Sequence, residues 1–199
     1  MLKTDKFQHQ RDYLKFPQSL YHGDKVKLVN ESLGQLAGHR LLDIGCGSVP
    51  WKWPGNEVTG LEADERIVAQ LKAESPPAMV VKGMADEMPF ADGYFDAVLM
   101  LDVIEHLNSP NKTMEEVRRV LKKGGLFLVF TPNFASLLWQ LFEKVFYPFC
   151  CAYHDELYTE HVFNNKPQQL KTFLSGFFKV EQLTVCSYTT AVFVVCRKA

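Results

Sequence analysis

The residues of this chain that could do chemistry gather at the ends of apolar runs. Asp43 sits in the run Arg40–Ile44, which leads directly into Gly45-Cys46-Gly47, and Glu62 closes the run Val58–Glu62. Glycines at a strand end let backbone approach a ligand closely. An acid at the end of the neighbouring strand is placed to accept hydrogen bonds from both hydroxyls of a ribose. Farther on, Asp102-Val103-Ile104-Glu105-His106 follows a third apolar run, Phe95–Met100. A histidine there, with an ordinary pKa near neutrality, suits proton removal from a reacting group.

A nicotinamide dinucleotide would use the same glycine turn and the same acid. Its fingerprint wants a third glycine and a helix amino terminus beneath the pyrophosphate. Here Pro50 takes that glycine's place, and Pro50 with Pro54 precludes a regular helix. Asp43, just before the turn, would also repel a pyrophosphate. The better ligand is a nucleoside carrying positive charge and no phosphate. S-adenosylmethionine, with its sulfonium and α-ammonium, fits that description. The simpler alternative is a tight turn with no ligand, which leaves the pairing of Asp43 with Glu62 unexplained. Cys46 reads as a small buried residue, since nothing near it in sequence activates a thiol.

These residues need a frame to position them. Strands are expected at Arg40–Ile44, Val58–Glu62, Met79–Lys82, Phe95–Met100 and Leu126–Thr131, with helices over Asp64–Ala73 and Asn111–Lys123, the second stopping at Gly124-Gly125. Continuous apolar strands alternating with helices predict a parallel sheet covered on both faces. Residues 1–38 read as a helical cap: Val26, Val29, Leu33 and Leu36 recur near helical spacing, Asp24 is a candidate cap, and Gly38 ends the element. After a short helix near Pro167–Leu174, the runs KVEQLTVCS and AVFVVCR are separated by only Tyr188-Thr189-Thr190, which permits a hairpin but no crossover. The expected architecture is therefore α/β: a three-layer, Rossmann-like, seven-stranded sheet, mostly parallel and closed by a carboxyl-terminal antiparallel hairpin, forming a single domain over 1–199.

The totals agree with a compact domain. The chain has 199 residues, 47% of them apolar, and 22 lysines and arginines nearly cancel 23 acids. That balance gives no global attraction to nucleic acid, so no nucleic-acid partner is expected without a local patch. Five cysteines without a CxxC pair, and no leader-like segment behind Met1, read as reduced thiols in a cytoplasmic protein. Arg118, Arg119, Lys122 and Lys123 read as the solvated last turn of a helix.

The ordered segments LLDIGCG, GLEADE, GMADEMPFADGYFDAVLMLDVIEHL and RRVLKKGGLFLVFTPN, spanning roughly residues 38–133, resemble a class I S-adenosylmethionine-dependent methyltransferase of the type 11 kind. By position, the resemblance implies that Asp43, Gly45, Cys46 and Gly47 line the methionine end of the cofactor, and that Glu62, with Ala63 beside it, takes the ribose. Gly83, Met84 and Ala85 would flank the adenine; Leu101 and Asp102 would face the sulfonium and substrate, with His106 as base. The expected product is S-adenosylhomocysteine. Val49 stands where relatives often carry another glycine, and Met84 where an aspartate usually contacts the adenine amino group; Asp86 is two residues out of place for that role. The DVIEH segment also resembles parts of ubiquinone-pathway and small-RNA methyltransferases, some of which hold a metal with the Glu and His. His154, Glu160 and His161 lie too far along the chain to be joined to them, and no metal is expected.

The segment that should choose the acceptor lies over 132–163, a helical lid insertion. Ser136, Gln140, Glu143 and Lys144 mark one face of a helix over 134–147, and Leu137, Leu138, Leu141, Phe142, Val145 and Phe146 mark the other. Its apolar and aromatic content predicts a small, partly apolar or aromatic acceptor methylated on oxygen or nitrogen, or a peripheral membrane or protein contact through 134–149. Trp51 and Trp53 would shape the pocket or pack the loop. The other readings are a protein or RNA methyltransferase, or a cofactor-binding module without catalysis. The chain reads equally as monomer or dimer.

Overall fold

The computed structural model describes residues 18–34, 38–47, 51–73, 79–141, 144 and 166–199. Helix α1 (Gln18–Leu33) precedes β1 (Arg40–Ile44), β2 (Glu57–Glu62), α2 (Glu65–Lys72), β3 (Val80–Lys82) and β4 (Phe95–Leu101). A 3₁₀ turn (Ile104–His106), α3 (Pro110–Val120), β5 (Leu121–Pro132) and the short α4 (Leu137–Leu141) follow. The chain closes with α5 (Pro167–Ser175), β6 (Lys179–Cys186) and β7 (Ala191–Arg197). The strands form one seven-stranded sheet in the order β3-β2-β1-β4-β5-β7-β6. All pairs are parallel except β5 with β7 and β7 with β6. The expected α/β sheet with its terminal hairpin is what forms.

Side chains alternate along each central strand, so the sheet carries two cores. Leu42 and Ile44, Val98 and Met100, Phe127 and Val129 face α3 and α5 through Met114, Val117, Leu170 and Leu174. Leu41, Ala97, Leu99, Leu128 and Phe130 face the other way, against Val29 and Leu33 of α1 and against Trp53. Three layers result, with β1 and β4 at the centre and their carboxyl ends level, Ile44 beside Met100.

Several local expectations are corrected. Helix α3 ends at Val120 rather than Lys123, because Gly93 and Tyr94 donate their amides to the carbonyls of Arg119 and Val120 and so cap it from outside. Leu121 then pairs with Phe95, and Gly124, at φ 75°, turns within the strand instead of ending a helix. Arg119 is not a solvated cation: its guanidinium binds the carbonyls of Met88 and Phe90 and the carboxylates of Glu116 and Asp92. Asp24 lies inside α1, and its carboxylate accepts from the amide and hydroxyl of Ser187 rather than capping the helix.

That contact anchors an unusual hairpin turn. Ser187, Tyr188 and Thr189 all have left-handed backbone (φ 51°, 54° and 74°) without a glycine among them. Such residues persist only where their surroundings fix them. Asn133 Nδ2 donates to the Thr189 carbonyl at 2.7 Å, and Ser136 Oγ meets Thr189 Oγ1 at 2.9 Å.

Of the expected lid, residues 132–141 and Lys144 are described; residues 142–143 and 145–165, with His154, Glu160 and His161, lie outside the described residues, as do 1–17. Ser136 is buried and Gln140 donates to the Phe134 carbonyl, while Leu137, Leu138 and Leu141 are exposed, Leu137 at 80%. Ser136 and Gln140 bind the protein, while the three leucines and Lys144 face out.

Phe127 is fully buried and its ring lies 5.1 Å from that of Phe178. Phe127→Ala should cost about 3–5 kcal/mol, read as a lower midpoint in urea unfolding. A loss below about 1 kcal/mol would mean that this layer repacks freely.

Candidate functional site

The site forms where β1, β2 and β4 end. Gly45 and Gly47 take left-handed backbone (φ 64° and 56°). At Gly45 this is also a matter of space, since a Cβ there would stand 2.5 Å from Val103 Cγ2. At Gly47 a Cβ would meet nothing, so the turn presents bare backbone to open space. The turn is held from β2: the Gly45 and Cys46 amides donate to the Leu61 carbonyl at 2.8 and 3.3 Å. Glu62 completes it, one carboxylate oxygen accepting from the Gly47 amide and the other from Asp64, each at 3.0 Å.

Asp43 is 5% exposed and accepts the Trp51 amide at 2.8 Å. This bond folds the proline loop back over the strand end. Residues 51–56 form no helix, as the prolines dictate, and Val49 and Pro50 lie outside the described residues. Burial pushes the Asp43 carboxyl up to about 7, opposed by the Trp51 amide and by the Lys25 charge. Cys46 is buried against Gly60, and burial, with the charges of Asp43 and Glu62, pushes its thiol up to about 12, so it is no nucleophile at neutral pH. Trp53 packs in the core and stacks on His39. The Trp51 indole N–H is buried without a hydrogen-bond partner among the described residues.

On the adenine side of the expected site, Gly83 follows β3 and donates to the Glu62 carbonyl. A Cβ there would stand 2.8 Å from Leu61. Met84 is exposed, Ala85 packs on the core, and Asp86 faces Lys112 at 3.8 Å. Ala63 is exposed beside Glu62.

At the end of β4, Leu101 pairs with Phe130 and packs against the core on the α1 side. Asp102 has left-handed backbone (φ 57°), its amide donating to the Phe130 carbonyl at 2.8 Å. Both carboxylate oxygens are engaged by α1, Oδ1 by the Tyr21 hydroxyl at 2.5 Å and Oδ2 by Lys25 Nζ at 2.7 Å. Nothing in the sequence pattern marks Tyr21 or Lys25 as site residues, because their partner lies 81 and 77 residues away. Tyr21 also meets Phe130 edge-on at 5.0 Å and Trp139 at 5.9 Å. Burial, then the Lys25 charge, drives His22 down to about 4, leaving a neutral imidazole beside them. Glu105 is buried and accepts from Thr131 Oγ1 at 3.0 Å; burial and the Asp102 charge hold its carboxyl well above the usual range. His106, half-buried in the 3₁₀ turn, donates its amide to Val103. Among the described residues no group of three His, Cys, Asp or Glu could hold a metal ion. A cavity of about 180 Å³ opens at the opposite end of the sheet, beside His39, Asp96 and Lys122.

Bare backbone at Gly47 thus lies beside two acids, Asp43 and Glu62. A phosphate there would face two carboxylates.

Residues 42–129 match the family model described as a methyltransferase domain. A probable S-adenosylmethionine-dependent methyltransferase of Mycolicibacterium smegmatis is 38% identical over 101 residues, 49% of this chain and 39% of that protein. A ubiquinone biosynthesis O-methyltransferase of Pseudomonas aeruginosa is 36% identical over 121 residues, 55% of this chain and 50% of that one. The chain thus spans about half the length, or less, of these curated relatives. The crystal structure of a SAM dependent methyltransferase from Aquifex aeolicus shares the fold, with TM-score 0.68 at 16% identity over 99% of this chain and all of that one.

The Asp43 carboxyl makes the free protein sensitive to pH. With a folded value of about 7 against an ordinary 3.8, the folded state keeps a proton that the unfolded chain has lost, so its contribution to stability falls as pH rises across that window. Asp43→Asn retains an oxygen for the Trp51 amide and has no proton to lose. Thermal unfolding of this variant should depend less on pH within the window; an unchanged slope would place the effect on other groups.

Proposed function

We propose that this chain, which carries a class I S-adenosylmethionine-dependent methyltransferase domain, transfers a methyl group to an oxygen or nitrogen of a small, partly apolar acceptor. The observation that supports the cofactor best is the turn at the end of β1, where Glu62 holds the Gly47 amide and faces the open side of the glycines. S-adenosylmethionine supplies an electrophilic methyl group on a cationic sulfur when bound. Asp43 and the turn would hold the methionine end, Glu62 the ribose hydroxyls with Ala63 alongside, and Gly83, Met84 and Ala85 the adenine. Leu101 would face the sulfonium.

The chain's own contribution to the reaction is mainly placement and exclusion of water. Tyr21 and Trp139 offer aromatic surface near Asp102, backed by the buried Phe130, which suits a ring-bearing acceptor; the Pseudomonas relative is named as an O-methyltransferase of ubiquinone biosynthesis. Asp102, held between Tyr21 and Lys25, is proposed to orient groups beside the acceptor. His106, on the next turn, is the proposed base. The apolar outer side of α4 is the proposed contact with a membrane surface or a protein. No helix among the described residues is long and apolar enough to cross a membrane.

A calorimetric titration with S-adenosylhomocysteine tests the cofactor directly. Micromolar affinity, about −8 kcal/mol, supports the reading, and no binding removes it. Glu62→Ala should weaken that affinity by about 10- to 100-fold, as expected for lost hydrogen bonds to a charged group; an unaltered affinity sinks the ribose assignment. With any acceptor that supports turnover, His106→Ala should lower kcat by about 10²-fold or more and leave S-adenosylhomocysteine binding intact. A normal rate removes it as base.

A further inference from the structure

Helix α1 reaches the end of β4 through two residues. Tyr21 and Lys25, one helical turn apart, grip the two oxygens of Asp102. Asp102 leaves β4 in the left-handed region, with its amide fixed on Phe130. A non-glycine residue holds that conformation only when its contacts over-determine it. The peptide that follows carries Val103, whose carbonyl accepts from His106 and whose Cγ2 occupies the space a Cβ on Gly45 would need. Release of the grip lets Asp102 relax, Val103 shift, and the wall behind Gly45 move.

We infer that Tyr21 is a positioning residue for the cofactor turn: through Asp102 it seats Val103 against Gly45, so that docking of α1 and formation of the turn are one event. Lys25 strengthens the grip. The same helix also contacts the far hairpin through Asp24 and Ser187, and that contact lies off the path. The helix thus offers its own internal control. The effect on cofactor affinity rests on the proposed function; the coupling itself does not.

The test compares Tyr21→Phe, Val103→Ala, their double variant and Asp24→Asn. Two quantities are read in each: amide hydrogen exchange at Gly45–Gly47 in the free protein, and affinity for S-adenosylhomocysteine. Tyr21→Phe removes only the hydroxyl. It should speed exchange at the turn and weaken binding ~10-fold, the scale of one hydrogen bond to a charged group. Val103→Ala should do the same, and the double variant should lose no more than either single one, because both act on one path. Asp24→Asn should lower the unfolding temperature and leave turn exchange and affinity as in the wild type. Additive losses, or an Asp24→Asn effect equal to that of Tyr21→Phe, would overturn the inference in favour of general helix docking. Unchanged exchange in Tyr21→Phe with normal binding by the wild type overturns the coupling and leaves the methyltransferase reading standing. Faster exchange in that variant, with no binding by the wild type, supports the coupling and removes the cofactor.

Discussion

The architecture of the site depends on a shortage of space between two neighbouring strands. β1 and β4 run parallel at the centre of the sheet and end at the same level, so the chains leaving them compete for one volume. Val103 takes it, and β1 must continue with a residue that has no side chain. Gly45 is thus required by packing before any ligand is considered. Asp102, the residue before Val103, takes left-handed backbone there, and α1 holds its carboxylate. The binding turn and the helix anchor thus meet at Val103.

Electrostatics at this end of the sheet follow from burial. Asp43, Glu62, Asp102 and Glu105 gather within a few residues of the strand ends, and like charges so placed cannot all stay ionised cheaply. The fold answers each differently. Glu62 is neutralised in effect by two backbone amides, Asp102 by an ammonium and a phenol, and Asp43 and Glu105 are driven toward their protonated forms. Repulsion among the four acids is relieved in this way, each by a different partner.

Much of this was legible in the sequence, and for physical reasons. Continuous apolar runs mark buried parallel strands whatever the tertiary context, so β1, β2 and β4 fall close to their expected positions. A glycine turn between Asp43 and Glu62 is a local pattern, and its geometry is local too. The end of α3 was not legible, since its caps come from Gly93 and Tyr94, a separate stretch of chain that no helix rule consults. Tyr21 and Lys25 were hidden for the same reason. In a helix that is only weakly amphipathic they look like any surface pair, and their partner is brought to them by the sheet. The orientation of α4 was not legible because period alone cannot say which face of a short helix meets the protein. That was decided by the hydroxyl of Thr189 and the carbonyl of Phe134.

The glycine-free turn at Ser187-Tyr188-Thr189 has a consequence for how the molecule is made. Its strained backbone is held from Asp24 on α1 and from Asn133 and Ser136 after β5. Asp24 and Ser187 are separated by 163 residues, among the longest loops the chain closes. Helix α1 therefore leaves the ribosome long before its partner at the hairpin exists, with Val29 and Leu33 still lacking the sheet they cover. Domains generally gain structure from the amino terminus during synthesis. Here the first described helix completes its contacts only with the last hairpin, so its docking is a late, non-local step of the kind that makes a chain slow to fold.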